Sequence, residues 1–136
     1  MIVLVIDGMG GGIGKTIVET LKSGDLGTDF QIIAVGTNSM ATANMLKGGA
    51  DAGATGENAV IYNCAKADYI IGAMGIVFAN SMHGEISPKM AEAVSSSPAH
   101  KIIIPVDKCN VSVLGVQEKP IQLYISEIAK TIQKFN

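Results

Sequence analysis

The sequence predicts an α/β domain: a mostly parallel sheet of about five or six strands with helices on both faces. Three observations predict it. Short β-branched and aliphatic runs alternate with segments whose apolar residues recur at helical spacing. Several of those runs are apolar throughout rather than alternating, as in strands buried on both faces. The first run also passes straight into a helix through a glycine-rich turn, Val5-Ile6-Asp7-Gly8-Met9-Gly10-Gly11-Gly12-Ile13-Gly14-Lys15-Thr16.

The first strand is Ile2 to Ile6, ended by Asp7-Gly8. Ile13, Ile17, Val18 and Leu21 share one face of the helix that follows, and Ser23-Gly24-Asp25 stops it. Gln31 to Val35 is the second strand. It ends at Gly36-Thr37-Asn38-Ser39, where a side-chain oxygen can cap a helix holding Met40, Ala41, Asn44 and Met45, closed by Gly48-Gly49. A third strand over Ala50 to Ala54 precedes Thr55-Gly56-Glu57-Asn58, a cap for a helix through Ala59, Val60, Asn63, Cys64 and Ala67. Residues 58–62 could also form a strand. A helix is preferred because Asp68 to Gly72 is the next strand, and adjacent parallel strands need a crossover between them. Gly75 to Met82 is partly helical, and Ser87-Pro88 opens a helix that Ser95-Ser96-Ser97-Pro98 ends. Lys101 to Val106 is the fifth strand and Val111 to Val116 a sixth, near an edge. Pro120 opens the last helix, with the apolar stripe Ile121, Tyr124, Ile125, Ile128, Ile132 and Phe135. Repeated strand-helix units imply right-handed crossovers and a Rossmann-like three-layer sandwich, one domain over residues 1–136.

The 136 residues suffice for one core and leave no room for a second domain. Hydrophobic residues make up 48% and charged residues 16%, with a mean hydropathy of +0.36, yet no apolar run approaches the roughly 20 residues that span a bilayer. So few charges leave little polar surface for a small monomer, so a homo-oligomer, dimer or tetramer, is expected. A net charge of -2 gives no electrostatic basis for binding nucleic acid. Ten lysines account for all the Lys+Arg, so guanidinium clamps are excluded. Cys64 and Cys109 lie far apart with no His or Cys at metal-ligand spacing, and Met1 leads directly into a strand rather than a leader. No metal is expected, and a reducing cytoplasm fits.

Ligands of an open parallel sheet bind beyond the carboxyl ends of its strands. Those ends form a polar rim: residues 7–14, Thr37-Asn38-Ser39, Thr55-Gly56-Glu57-Asn58, Asn80-Ser81-Met82-His83-Gly84-Glu85, and Asp107-Lys108-Cys109-Asn110. Capping chemistry alone accounts for part of it. The glycines offer bare amides at a helix start, where the helix dipole favours an anion. Candidate ligand-binding residues are therefore Gly8, Gly10, Gly11, Gly12, Gly14, Lys15, Thr37, Asn38, Asn58, Asn80 and Ser81. Tight packing of the first helix on the sheet would explain the same glycines without a ligand. His83 and Glu85 are the catalytic candidates, a general base and its orienter. Cys109 beside Lys108 is more simply a buried filler than a reactive thiolate.

Gly8, Gly12 and Gly14 resemble the G-x-x-x-G-x-G spacing of short-chain dehydrogenases, whereas G-x-G-x-x-G fails at Ile13. Gly36-Thr37-Asn38 stands where a dinucleotide fold carries its ribose-binding acid, which counts against NAD. Gly14-Lys15-Thr16 also resembles the end of a Walker A loop, but Met9 replaces its first glycine and no Walker B acid follows.

The segments running from Val5 to Lys15, Ala34-Val35-Gly36-Thr37-Asn38-Ser39, Gly53-Ala54-Thr55-Gly56-Glu57-Asn58-Ala59, Ala79-Asn80-Ser81-Met82 and Gly84-Glu85-Ile86 together resemble a family of small bacterial proteins. It is the domain-of-unknown-function family numbered 3842. The resemblance covers nearly the whole chain and implies a stand-alone cytoplasmic protein with a Rossmann-like fold; it carries over no activity, ligand or catalytic residue. The expected function comes from the rim alone: binding a nucleotide, an NAD-type dinucleotide or another phosphate-bearing metabolite. Alternatives are a small-substrate enzyme using His83 and Glu85 without a nucleotide, and an oligomeric interaction module with no ligand.

Overall fold

The computed structural model describes residues 1–24, 26–106 and 110–135, so the expectations placed on Asp25, Asp107, Lys108 and Cys109 lie outside the described residues. Five strands pair in parallel: β1 (Ile2–Asp7), β2 (Gln31–Gly36), β3 (Ala52–Thr55), β4 (Tyr69–Ala73) and β5 (His100–Ile104). Their order is β3-β2-β1-β4-β5. The chain winds outward from β1 through β2 to β3, then crosses back to lay β4 on the other side of β1. The winding direction therefore reverses between β1 and β4, which is where this architecture opens a crevice at the strands' carboxyl ends.

Period-two alternation along β1 builds two cores at once. Val3 and Val5 face a layer made by α1 (Gly12–Ser23), α2 (Ser39–Lys47), α5 (Ile121–Ser126) and α6 (Ile128–Phe135), through Ile17, Val18, Leu21, Met45, Ile125, Ile128 and Ile132. Leu4 and Ile6 face the opposite layer of α3 (Glu57–Cys64) and α4 (Pro88–Ser96), through Val60, Cys64, Met90, Ala91 and Val94. Val3 to Ile6 are at most 1% exposed, which explains why this strand shows no polar face in the sequence. The result is the expected three-layer α/β sandwich with a Rossmann-like strand order.

Caps and anchors set where the elements stop. Asn38 caps α2 by accepting from the Ala41 N–H at 2.9 Å, and Ser87 caps α4 by accepting from the Met90 N–H at 3.2 Å, with Pro88 in the first turn. The third strand falls on Ala52–Thr55, and residues 58–62 lie within α3, as the crossover requirement demands. The cap of α3 differs from expectation: Gly56 holds that position with no side-chain hydrogen bond. The sixth strand expected over Val111 to Val116 is absent. Gly115 takes a left-handed φ of 86° in a turn with Leu114, which interrupts an extended run too short to bury one face. The last apolar stripe divides into α5 and α6 at Glu127, and only a 3₁₀ turn, Met74–Val77, follows β4.

Candidate functional site

Asp7 is the last residue of β1 and 6% exposed, and its carboxylate organises the turn that follows. One oxygen accepts from the Gly8 N–H at 2.8 Å and the other from the Gly14 N–H at 2.6 Å. The turn closes with Gly11 N–H donating to the Gly8 carbonyl at 3.0 Å, and α1 begins with no side-chain cap. Two asparagines then orient the outer peptides. Asn38 Nδ2 donates to the Met9 carbonyl at 2.8 Å and Asn44 Nδ2 to the Gly10 carbonyl at 2.6 Å. Because a trans peptide points its C=O and N–H in opposite directions, anchoring the Met9 carbonyl towards α2 turns the Gly10 N–H away from it.

The five glycines do different things. A Cβ on Gly8 would lie 2.7 Å from the Met82 sulfur, one on Gly14 2.6 Å from the Met45 sulfur, and one on Gly11 2.6 Å from the Ala41 Cα. Gly11 also needs its left-handed φ of 73°. These three permit close packing inside the protein. Gly10 and Gly12 would meet nothing within 4 Å. Among the described residues, the N–H groups of Gly10, Gly12 and Ile13 find no acceptor. They border a cavity of about 450 Å³ lined by residues 7–13 from the β1 side and by Met82 and His83 from the β4 side. It occupies the crevice where the winding reverses.

The loop carrying Met82 and His83 continues to Glu85, which reaches across the end of β1. Its Oε1 accepts from the Met9 N–H at 2.9 Å, from Asn38 Nδ2 at 2.9 Å, and from the Thr37 hydroxyl in a short contact. The Thr37 hydroxyl and the Met9 amide hold the Glu85 carboxyl below the usual carboxylate range, against an opposing effect of burial; Asn38 and the nearby His83 add smaller lowering contributions. Part of the turn's donor capacity is thus taken by the chain's own acids: Asp7 at Gly8 and Gly14, Glu85 at Met9.

Of the residues expected at the site, Gly8, Gly10, Gly11 and Gly12 line the cavity together with His83. Gly14 lies beneath it, packed on Asp7 and Met45. Thr37 and Asn38 stand beside it, engaged with Glu85. The Lys15 stem runs past the end of α2, where its Cγ is 3.2 Å from a Cβ placed on Gly48. Asn58 is exposed in the first turn of α3. Asn80 shapes the loop after β4 with a φ of 66°, and the buried Ser81 donates its hydroxyl to the Gly75 carbonyl. Neither lines the cavity, nor do Lys15 and Asn58. No hydrogen bond joins His83 to Glu85 among the described residues. Several contributors escaped the list of site residues: Met9, Ile13 and Met82, which line the cavity, and the turn-bracing Asp7 and Asn44. An asparagine inside a helix has low intrinsic propensity, and that was the available signal for Asn44.

A parallel sheet in this order, with a glycine-rich turn at its switch point, defines a Rossmann-like α/β protein with a crevice at the carboxyl ends of its strands. The chain belongs to the Domain of unknown function (DUF3842) family, whose model matches residues 2–136. No curated protein and no solved structure matches it. Among the described residues no helix is long and apolar enough to cross a membrane, and no group of three or more His, Cys, Asp or Glu could hold a metal ion.

Proposed function

We propose that the protein binds a nucleotide or another phosphate-bearing metabolite at the glycine turn, with the phosphate on the amides of Gly10, Gly12 and Ile13. One observation carries this reading. Of the four glycines that line the cavity, Gly10 and Gly12 pack against nothing, and among the described residues their N–H groups lack acceptors. Close packing against α2, Asp7 and the neighbouring loops explains Gly8, Gly11 and Gly14 but leaves Gly10 and Gly12 without a reason. The positive end of α1 offers the phosphate a favourable field, worth about 0.3–1 kcal/mol for an exposed charge. His83 at the cavity's lip faces the body of the ligand. The same side chain is the feature that favours catalysis as a second reading, with His83 as a base working without Glu85.

Thermal-shift titration of nucleotides and phosphorylated metabolites against wild type and Gly12→Val tests the proposal. A ligand at a hundred times its Kd stabilises by about 2.7 kcal/mol. At about 2.1 cal/mol/K of unfolding entropy per residue, that raises Tm by roughly 9 °C for this length. Wild type shifts and Gly12→Val does not; equal shifts refute the site. In this reading the protein works in the cytoplasm as a homo-oligomer, and the exposed Met40, Leu46, Tyr62, Leu114 and Phe135 support the association. Native mass spectrometry of freshly purified protein reads bound metabolite and subunit number together.

A further inference from the structure

We infer that Glu85 sets the class of ligand the turn accepts: a compact molecule of mononucleotide size or smaller, and not a dinucleotide. This rests on the reading of the turn as a phosphate site and adds which phosphate compounds fit it. In a sheet wound this way, a dinucleotide lies across the crevice with its pyrophosphate at the first turn, and its adenosine ribose reaches an acid at the end of the second strand. In this protein that corner is already filled. The Thr37 hydroxyl and the Asn38 amide, the first two residues beyond β2, both donate to Glu85 Oε1, which also accepts the Met9 N–H. Asn38 gives its remaining capacity to the Met9 carbonyl and the Ala41 N–H. The side-chain donors of Thr37 and Asn38 are spent internally, and a carboxylate stands between the turn and the end of β2.

Space is closed there as well as chemistry. A Cβ on Gly8 would lie 2.7 Å from the Thr37 hydroxyl oxygen and 3.1 Å from Glu85 Oε1, so even a methyl group does not fit. The loop that delivers Glu85 is braced: the Asn80 N–H donates to the Ile86 carbonyl at 2.7 Å, and the Ile86 N–H returns to the Ser81 carbonyl at 3.2 Å. On the β4 side no described residue intrudes in a comparable way. The cavity there is lined by the turn, Met82 and His83, with no residue of β2 or its loop. Its 450 Å³ lies in the lower half of the range of about 300–1,000 Å³ for small-molecule sites.

Calorimetric titration of AMP, NAD⁺ and inorganic phosphate into wild type, Gly12→Val and Glu85→Ala tests the inference. Wild type binds AMP at least tenfold more tightly than NAD⁺. Glu85→Ala brings the two within about threefold, by releasing the Thr37 and Asn38 donors to the second half of the dinucleotide. NAD⁺ binding wild type as tightly as AMP, or an unchanged ratio in Glu85→Ala, overturns it. Should that variant not fold, hydrogen exchange decides: in wild type saturated with AMP the Met9 amide stays protected, and its exposure overturns the inference. Gly12-sensitive binding with the wrong ratio sinks this inference alone. No binding by AMP or phosphate, or binding indifferent to Gly12→Val, sinks the phosphate reading and this inference with it.

Discussion

Neighbouring glycines in the turn respond in opposite directions to the same added methyl group. At Gly11 a Cβ would stand 2.6 Å from the Ala41 Cα and 2.9 Å from the Ala41 carbonyl oxygen, both backbone atoms that no rotamer change can move. The left-handed φ of 73° adds about 1–2 kcal/mol for a non-glycine residue. Overpacking of this kind adds about 1–3 kcal/mol. Gly11→Ala is therefore destabilising by about 2–5 kcal/mol. At Gly12 the Cβ meets nothing within 4 Å and φ lies outside the left-handed region, so Gly12→Ala leaves the fold intact and stabilises it by about 0.4–1 kcal/mol through the unfolded chain. With about 2.1 cal/mol/K of unfolding entropy per residue, 1 kcal/mol is roughly 3.5 °C of Tm in this chain. Calorimetry should show Gly11→Ala melting about 7–17 °C lower than wild type and Gly12→Ala about 1–3 °C higher. Equal destabilisation by the two would refute the division of the glycines into packed and unpacked sets.

Further expectations concern the groups around the turn and in the second core. Glu85 has a lowered carboxyl pKa in the folded protein, so its contribution is complete above the unfolded value of about 4.3 and is lost as pH falls through the folded value. Tm measured against pH should accordingly drop more steeply in acid for wild type than for Glu85→Gln; parallel curves would show that the contact adds no stability. Asn44→Ala removes the donor that holds the Gly10 carbonyl, at a cost of about 0.5–1.5 kcal/mol. Faster amide exchange at Gly11, whose N–H closes the turn on the Gly8 carbonyl, is its signature, and unchanged exchange would mean the turn holds itself. Burial, offset slightly by Lys101, pushes the Cys64 thiol up to about 11 from an ordinary 9.0, which lowers its thiolate fraction about a hundredfold. Mass-mapped alkylation at pH 8 should find Cys64 at least that much slower in the native protein than in the unfolded chain, and comparable rates would contradict its burial.

The architecture was legible because its signals are local and repeated. Continuous apolar runs gave four of the strands, Asn38 and Ser87 announced their helices, and the crossover requirement assigned residues 58–62 to a helix. The expected strand over Val111 to Val116 failed because alternation alone does not supply a neighbour to pair with, and Gly115 breaks the run. At the site, the glycine cluster marked the right turn, but its five members looked alike. Which of them are packed against the protein depends on Ala41, Met45 and Met82, all remote in sequence. Glu85 was paired with His83 on the strength of adjacency. In the folded chain its carboxylate crosses to Thr37, 48 positions away, a partnership that sequence spacing cannot encode. Lys15 shows the same limit, since a neighbour in sequence can sit on the far side of a helix.

Asp7 already gives the turn the negative partner that a helix start requires, through the Gly8 and Gly14 amides. A crevice floor braced this way holds its shape through the chain's own hydrogen bonds. A ligand that binds there as proposed would find the turn already ordered, so its occupancy would add to the stability of the fold rather than create it.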